Sequence, residues 1–319
     1  MRAYFPLDKL RENLRRCREE EEEEGAAGKE KEEEVAEQNG QKTIRKKLVL
    51  ITTGTYSPVH RMHLHVFEAA KKLLEEKHGF QGNNTPRLFA ISCHRCVTPH
   101  KLSIVVAGFV SPSHDEYVWQ KLETDGIAGY HREAMLQLAT KDSDWISVST
   151  WELNQPYFQS MYKATLALHG LLREEFAEQE ELQVMYLCGA DLIPRCGGMT
   201  NLGGFPIVAV GRAGYSDKVR KVLAAKQSDS AMDGAPRKQT LYFVEEDTED
   251  ISSTKMREYL REGKDLSSMT FPSVIEYLHA HQNDQGEQPF YLQHHPVPEY
   301  DIWRPIPTPT KNKSSCRSS

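Results

Sequence analysis

An α/β fold on a mainly parallel sheet is predicted by three observations on the 319-residue sequence. Short apolar runs rich in β-branched residues recur along the chain, as the buried strands of a parallel sheet require. Segments with helical apolar spacing alternate with these runs, which is the order of strand–helix–strand units with right-handed crossovers. The first run, Leu48–Ile51, passes through a Gly- and Pro-containing turn, Thr52–Pro58, into a helix with Leu64, Phe67 and Leu74 on one face. A strand, a tight glycine turn and a helix bring backbone N–H groups and a helix N-terminus up to a phosphate. Ligands of such sheets bind at the carboxyl ends of the strands, which is where this turn falls.

Residues 1–45 carry six consecutive glutamates, Glu19–Glu24, and a second charged run, Lys29–Glu34. Like charges in blocks repel and stay solvated, so this stretch is read as a disordered acidic leader. The first strand–helix unit ends near Glu76, and Ile104–Val110 is the next strand. Gly126–Ala139 reads as a helix with Met135, Leu136 and Leu138 as its apolar members, and Trp145–Ser149 as a short strand. A helix through Thr165–Leu172 follows, then strands at Val184–Cys188, Phe205–Val210 and Leu241–Val244. Thr254–Arg261 and Val274–Ala280 read as the last helices. Residues 282–319 are rich in proline and polar residues and are read as a disordered tail. These boundaries leave residues 46–281 as the folded domain.

A formal charge of −6 and a pI near 6.1 argue against a nucleic-acid partner, because phosphate-backbone binders are usually basic. Small anionic ligands need only a local positive site. No apolar stretch approaches the ~18 residues of a membrane span, and the N-terminus lacks the apolar core of a secretory signal. The expected location is intracellular, in cytoplasm or nucleus, with no membrane partner; the sequence leaves homo-oligomer formation open. The six cysteines are scattered, which does not make a disulfide framework. Cys93 and Cys96 form a lone CxxC without the second pair that a structural zinc site needs, so reduced thiols are expected.

Two motifs carry chemistry. In the first, Gly54 permits a tight turn and close approach of a phosphate, while His60 and His63 lie three residues apart at a helix start. Such histidines can donate hydrogen bonds to phosphate oxygens from the helix's positive end. A solvated helix start, or an adventitious metal-binding cluster with His65, are the competing readings. In the second, Ile251–Arg257 opens a helix, with Ser252 or Ser253 as its N-cap and Arg257 one turn on, where it can reach an anion. Alone this would be a capped surface helix; with the first motif it suggests opposite walls of one polyphosphate cradle.

These residues resemble a known family. GTYSPVHRMH (54–63) resembles the GxFxPx(H/T)xxH signature of the adenylyl- and cytidylyltransferase superfamily, and ISSTKMR (251–257) its ISxTxxR partner. VSPSHDEY (110–117), Tyr130-His131-Arg132 with LATK (138–141), Thr150-Trp151-Glu152, LCGADL (187–192) and VGRAG (210–214) are similar to segments of eukaryotic nicotinamide/nicotinate mononucleotide adenylyltransferases. The matches keep family order from about residue 47 to 281. The resemblance implies a Rossmann-like, doubly wound sheet with helices on both faces. It also implies adenylyl transfer from ATP to nicotinamide or nicotinate mononucleotide, giving NAD or deamido-NAD and pyrophosphate. Carried over by motif, His60 and His63 contact the ATP phosphates, with His63 and Arg257 as catalytic groups beside His60. Gly54 and Thr55 offer backbone contacts, and Ser253, Thr254, Lys255 and Arg257 hold the β- and γ-phosphates, bridged by Mg²⁺ that takes no protein side chain as ligand. Trp151 belongs to the pyridine pocket, or alternatively to the core. Gly189 and Asp191 contact ribose or adenosine hydroxyls, Asp191 being alternatively a helix N-cap. Tyr117, Lys121, Glu245 and Glu249 complete the mononucleotide side.

Three departures from the pattern stand out. An extra segment lies between Gln81 and Ser103; Val118–Lys121 replaces a lysine run; and Asp191 runs through glycine-rich sequence to the next strand, where the family has a further helix. The last motivates a rival reading, a nucleotide-binding or interaction protein of the same fold with impaired catalysis. Another rival is an adenylyltransferase for a different phosphate acceptor, such as pantetheine phosphate.

Overall fold

The computed structural model describes residues 1–32, 46–76, 103–178, 180–233 and 240–294. Six parallel strands run side by side: β3 (Ile146–Val148), β2 (Ser103–Pro112), β1 (Lys46–Gly54), β4 (Leu182–Gly189), β6 (Phe205–Arg212) and β7 (Leu241–Thr248). A two-residue strand, β5 (Asn201–Leu202), pairs antiparallel with the start of β6. The turn between them is Gly203-Gly204, with φ of +58° and +100°, the doubly left-handed pair that a tight hairpin demands. The chain moves outward from β1 through β2 to β3 and then crosses back to β4 on β1's other side. The carboxyl ends of β1 and β4 therefore form the topological switch point, where such sheets leave a crevice.

The period-two alternation of strands sorts their side chains into two cores. Leu48 and Leu50 of β1, with Tyr242 and Val244 of β7, face one layer with α2 (Arg61–Glu76), α4 (Gly129–Ala139), α8 (Ser253–Arg261) and α9 (Pro272–His281). Val49 and Ile51, with Leu241 and Phe243, face the other with α5 (Met161–Phe176) and α7 (Ser216–Asp233). Both faces of the sheet are covered, as the doubly wound expectation requires. The remaining helices are α3 (Asp115–Leu122) and the four-residue α6 (Leu192–Arg195). The helix expected from Gly126 starts at Gly129 because Gly126–Ala128 is extended and held by the chain's C-terminal part.

Both ends of the expected domain need correction. The leader read as disordered forms α1 (Asp8–Glu32), preceded by residues that enter the second core. Phe5, Leu7, Leu10, Leu14 and Cys17 are buried, and Phe5 meets Phe109 edge-on at 5.8 Å. Leu7, Leu10, Leu14 and Cys17 follow one another at steps of 3 and 4 residues, an amphipathic stripe that the charged residues around it obscure. Lys9 Nζ donates to the Ile146 carbonyl (2.6 Å), Asn13 to the Val106 carbonyl (3.1 Å), and the Thr150 N–H to the Tyr4 carbonyl (2.9 Å). Phe5→Ala should cost roughly 3–5 kcal/mol, the range for truncating a buried aromatic. Urea denaturation measures it; a loss below about 1 kcal/mol would mean that this segment does not pack. At the other end, the expected tail includes residues 283–294, which pack on the domain. Phe290 and Leu292 are buried, and the Ala128 N–H to Phe290 carbonyl (2.9 Å) and Leu292 N–H to Gly126 carbonyl (2.8 Å) bonds tie the stretch down. The extra segment after Gln81, its CxxC and the residues beyond 294 lie outside the described residues. No helix among the described residues is long and apolar enough to cross a membrane.

Candidate active site

β1 delivers the first motif to the switch point. Tyr56 takes a positive φ of 45°, a strained setting for a bulky residue, worth roughly 1–2 kcal/mol. That turn buries its ring edge-on against His63 at 4.8 Å. A Cβ on Gly54 would come within 3.0 Å of the same ring, so the absence of a side chain there makes room for it. His60 precedes α2 and His63 lies in its first turn; their rings stack at 3.5 Å. The His60 N–H donates to His63 Nδ1 (3.0 Å). Burial, reinforced by the Arg212 charge, pushes His60 down to about 3. Burial pushes His63 well down too, helped by His60, Arg212 and Lys121. Both rings are neutral at pH 7. With Nδ1 accepting a backbone hydrogen bond, neutral His63 carries its proton on Nε2 and is there a donor.

The second motif packs directly on the first. Ser252 caps α8 by accepting from the Lys255 N–H (3.2 Å), which decides the N-cap between the two serines. Ser253 Oγ instead donates to the Pro58 carbonyl (2.8 Å). Arg257 is buried, with Nη1 donating to the Ser57 carbonyl (2.7 Å) and Nη2 3.5 Å from Thr254 Oγ1. Ser253 and Arg257 thus also stitch α8 to the turn that follows β1. Thr254 is exposed and Lys255 half-buried at the same helix start.

The carboxyl end of β4 supplies the opposite side. A Cβ on Gly189 would lie 2.8 Å from Asp191 Oδ1, so a side chain there would push that carboxylate aside. Asp191 makes no capping hydrogen bond to α6. Instead it pairs with Arg195 of α6 and with Arg212 at the end of β6 (3.4 Å). Lys121, at the surface of α3, has its pKa lowered by loss of solvent and by the charges of Arg195, Arg257 and Arg212, with Asp191 opposing. Four cations and one carboxylate thus converge beside two neutral histidines. That excess of positive charge suits a polyanion.

The residues expected on the mononucleotide side are less tightly joined. Trp151 is half-buried and packs against the second core. Tyr117 stacks on Phe158 at 4.9 Å. Glu245 is exposed and pairs with Arg220 of α7 (3.2 Å); Glu249 is exposed in the turn before α8. The cluster around the histidines is built without either glutamate. Glu152, next to Trp151, is 1% exposed, and burial pushes its carboxyl up to about 8 against the opposing effects of Ser111 and Arg132. The folded protein therefore keeps a proton that the unfolded chain releases near pH 4.5. Stability should fall as pH rises from there to about 8, then level off. Glu152→Gln should remove this component. Urea midpoints across that window would show it, and parallel profiles for parent and variant would refute it.

Sequence reasoning missed Arg132, Tyr56, Arg195 and Arg212 as site residues. Arg132 is 0% exposed and donates to the carbonyls of Ile127 (2.8 Å), Thr55 (3.0 Å) and Ser113 (2.7 Å) and to Asp115 (2.6 Å). It fixes the loops leaving β1 and β2. The signal was a lone arginine among the apolar positions of a helix, since arginine is almost never fully buried unless paired.

With this geometry in place, comparison gives the class. The profile of the cytidylyltransferase-like family matches residues 100–259, and the chain belongs to that family. Among individual proteins, it is 27% identical over 290 residues to bovine nicotinamide/nicotinic acid mononucleotide adenylyltransferase 1, covering 76% of this chain and 90% of that one. It is 29% identical over 266 residues to the Schizosaccharomyces pombe nicotinamide/nicotinic acid mononucleotide adenylyltransferase, covering 76% of this chain and 61% of the yeast protein. A solved structure of Plasmodium falciparum nicotinic acid mononucleotide adenylyltransferase aligns with 74% of this chain and 96% of that one, at 13% identity and a TM-score of 0.45.

Proposed function

We propose that this protein transfers the adenylyl group of ATP to nicotinamide or nicotinate mononucleotide, giving NAD or deamido-NAD and pyrophosphate. The observation that supports it most is the stacked His60–His63 pair at the end of β1, neutral and beside the Lys121, Arg212 and Arg257 charges. A 5′-phosphate oxygen of the mononucleotide attacks the α-phosphorus of ATP in line; the bond from that phosphorus to the β-phosphate's bridging oxygen breaks. The protein's part is positioning and charge stabilisation. His63 Nε2–H donates to the α-phosphoryl oxygens, where charge changes in the transition state. His60, Gly54 and Thr55 line the phosphate path, and Ser253, Thr254, Lys255 and Arg257 form its far wall. Gly189 and Asp191 take sugar hydroxyls, and Trp151, Tyr117 and Lys121 border the mononucleotide.

Among the described residues no group of three or more His, Cys, Asp or Glu could hold a metal ion. The divalent cation, which we take to be Mg²⁺, enters bound to the ATP phosphates as part of the substrate. Incubation with MgATP and either mononucleotide should yield dinucleotide, while pantetheine phosphate should not be adenylylated. The glycine-rich path from Asp191 to β6, with α6 as its one described helical turn, motivates the alternative of a binding protein without turnover. Tight mononucleotide binding without dinucleotide formation would favour that alternative.

A further inference from the structure

The segment whose charge suggested a solvated leader reaches the loop that carries Trp151. β3 is three residues long, pairs with β2, and has no strand on its other side among the described residues. Such an edge presents unpaired backbone groups, which folded proteins cover. Residues 4–13 provide the cover. Asn13 Nδ2 donates to the Asp144 carbonyl (3.3 Å), and Lys9 Nζ to the carbonyls of Ile146 (2.6 Å) and Thr140 (3.2 Å). The Tyr4 carbonyl accepts from the Thr150 N–H (2.9 Å). Residues 13, 9 and 4 thus meet 144, 146 and 150 in turn, so this segment runs along β3 in the opposite direction. It is also anchored away from β3. Arg11 pairs with Glu175 of α5 (3.1 Å) and Arg18 with Glu180 (3.0 Å), and both carboxylates are buried.

Three successive N–H groups lead into the indole, and each is held. Ser149 donates to the Val110 carbonyl (2.8 Å), Thr150 to the Tyr4 carbonyl, and Trp151 to Ser149 Oγ (3.3 Å). Resting on the function proposed above, we propose that residues 4–13 position Trp151 for the mononucleotide through β3 and the turn after it. A site residue is only as well placed as the shell that supports it. The two phosphate motifs have separate supports: Ser253 on the Pro58 carbonyl, Arg257 on the Ser57 carbonyl and Arg132 on the Thr55 carbonyl. Loosening the cover should therefore weaken use of the acceptor and spare ATP. Lys9 touches no substrate and acts through Ile146, so it is a positioning residue.

The test measures KM for the mononucleotide at saturating MgATP, KM for MgATP at saturating mononucleotide, and kcat. The whole chain is used as parent, Lys9→Met, Lys9→Arg, Asn13→Ala and Arg15→Ala. Lys9→Met keeps the aliphatic stem and removes the donor; it should raise KM for the mononucleotide about fivefold, with KM for MgATP and kcat within about twofold. Lys9→Arg should recover part of the loss. Asn13→Ala should act in the same direction more weakly, and it carries the test should Lys9→Met not fold. Arg15 pairs with Glu12 and Glu19 on α1 itself, so Arg15→Ala should match the parent. An unmoved KM for the mononucleotide, or both KM values rising together as general loosening would give, overturns this proposal and leaves the reaction standing. A parent that adenylylates neither nicotinate nor nicotinamide mononucleotide overturns the reaction and this proposal together.

Discussion

His63→Ala is expected to lower kcat for dinucleotide formation by roughly 100- to 1,000-fold, the usual consequence of removing one donor from a transition-state charge site. The expectation follows from the ring's surroundings. The His60 N–H holds Nδ1, the Tyr56 ring and the stacked His60 ring fix the plane, and burial keeps the imidazole uncharged. A neutral, immobilised Nε2–H is a donor that needs no reorganisation when charge shifts on the α-phosphoryl group. Its loss should therefore appear in kcat more than in KM for ATP. The stacked pair predicts little change below neutrality as well, because His60 gains a proton only near pH 3. Steady-state kinetics with a thermal-unfolding control decides it. A kcat within about threefold of the parent, where a lost donor costs far more, would remove His63 from the reaction.

Arg132→Met should damage the fold as severely as truncating a buried aromatic, costing about 3–5 kcal/mol. The guanidinium satisfies three backbone carbonyls and the Asp115 carboxylate from a fully buried position. Methionine fills similar space but leaves Ile127, Thr55 and Ser113 without that donor, and each buried unmet acceptor has its own cost. Asp115 also holds the Gly129 N–H at the start of α4 (3.1 Å), so the effect reaches the helix that carries Arg132. Denaturant titration measures the loss. The Thr55 carbonyl belongs to the loop between β1 and His60, so enzyme that still folds should turn over more slowly. A loss under about 1 kcal/mol would mean that the loops leaving β1 and β2 are held by other contacts.

The strands and the two phosphate motifs were legible because they are local. An apolar run with β-branched residues announces a buried strand, and a glycine turn into a helix announces an anion site, without knowledge of what packs on them. What was hidden depended on distant partners. The stripe Leu7, Leu10, Leu14 and Cys17 lies beside a block of glutamates, and net charge outweighed spacing in reading it as disordered. Phe290 and Leu292 sit among prolines and polar residues, and their burial comes from backbone pairing with Gly126–Ala128, more than 160 residues earlier. Arg212 was noticed only as part of a family-like strand end, and nothing in the sequence paired it or Arg195 with Asp191 until the crossover to β4 placed that carboxylate between them. Arg257 was read only as reaching an anion; its bond to the Ser57 carbonyl shows that it also joins the two motifs.

In the proposed reaction the α-phosphoryl group of ATP is the one transferred. The most direct measurement supplies ATP labelled at the α-phosphorus, with MgCl₂ and nicotinate or nicotinamide mononucleotide, to the full-length protein. Label should accumulate in the dinucleotide, with one pyrophosphate released for each dinucleotide formed. Label retained in ADP with release of orthophosphate, or ATP left intact while the mononucleotide is bound, would contradict it.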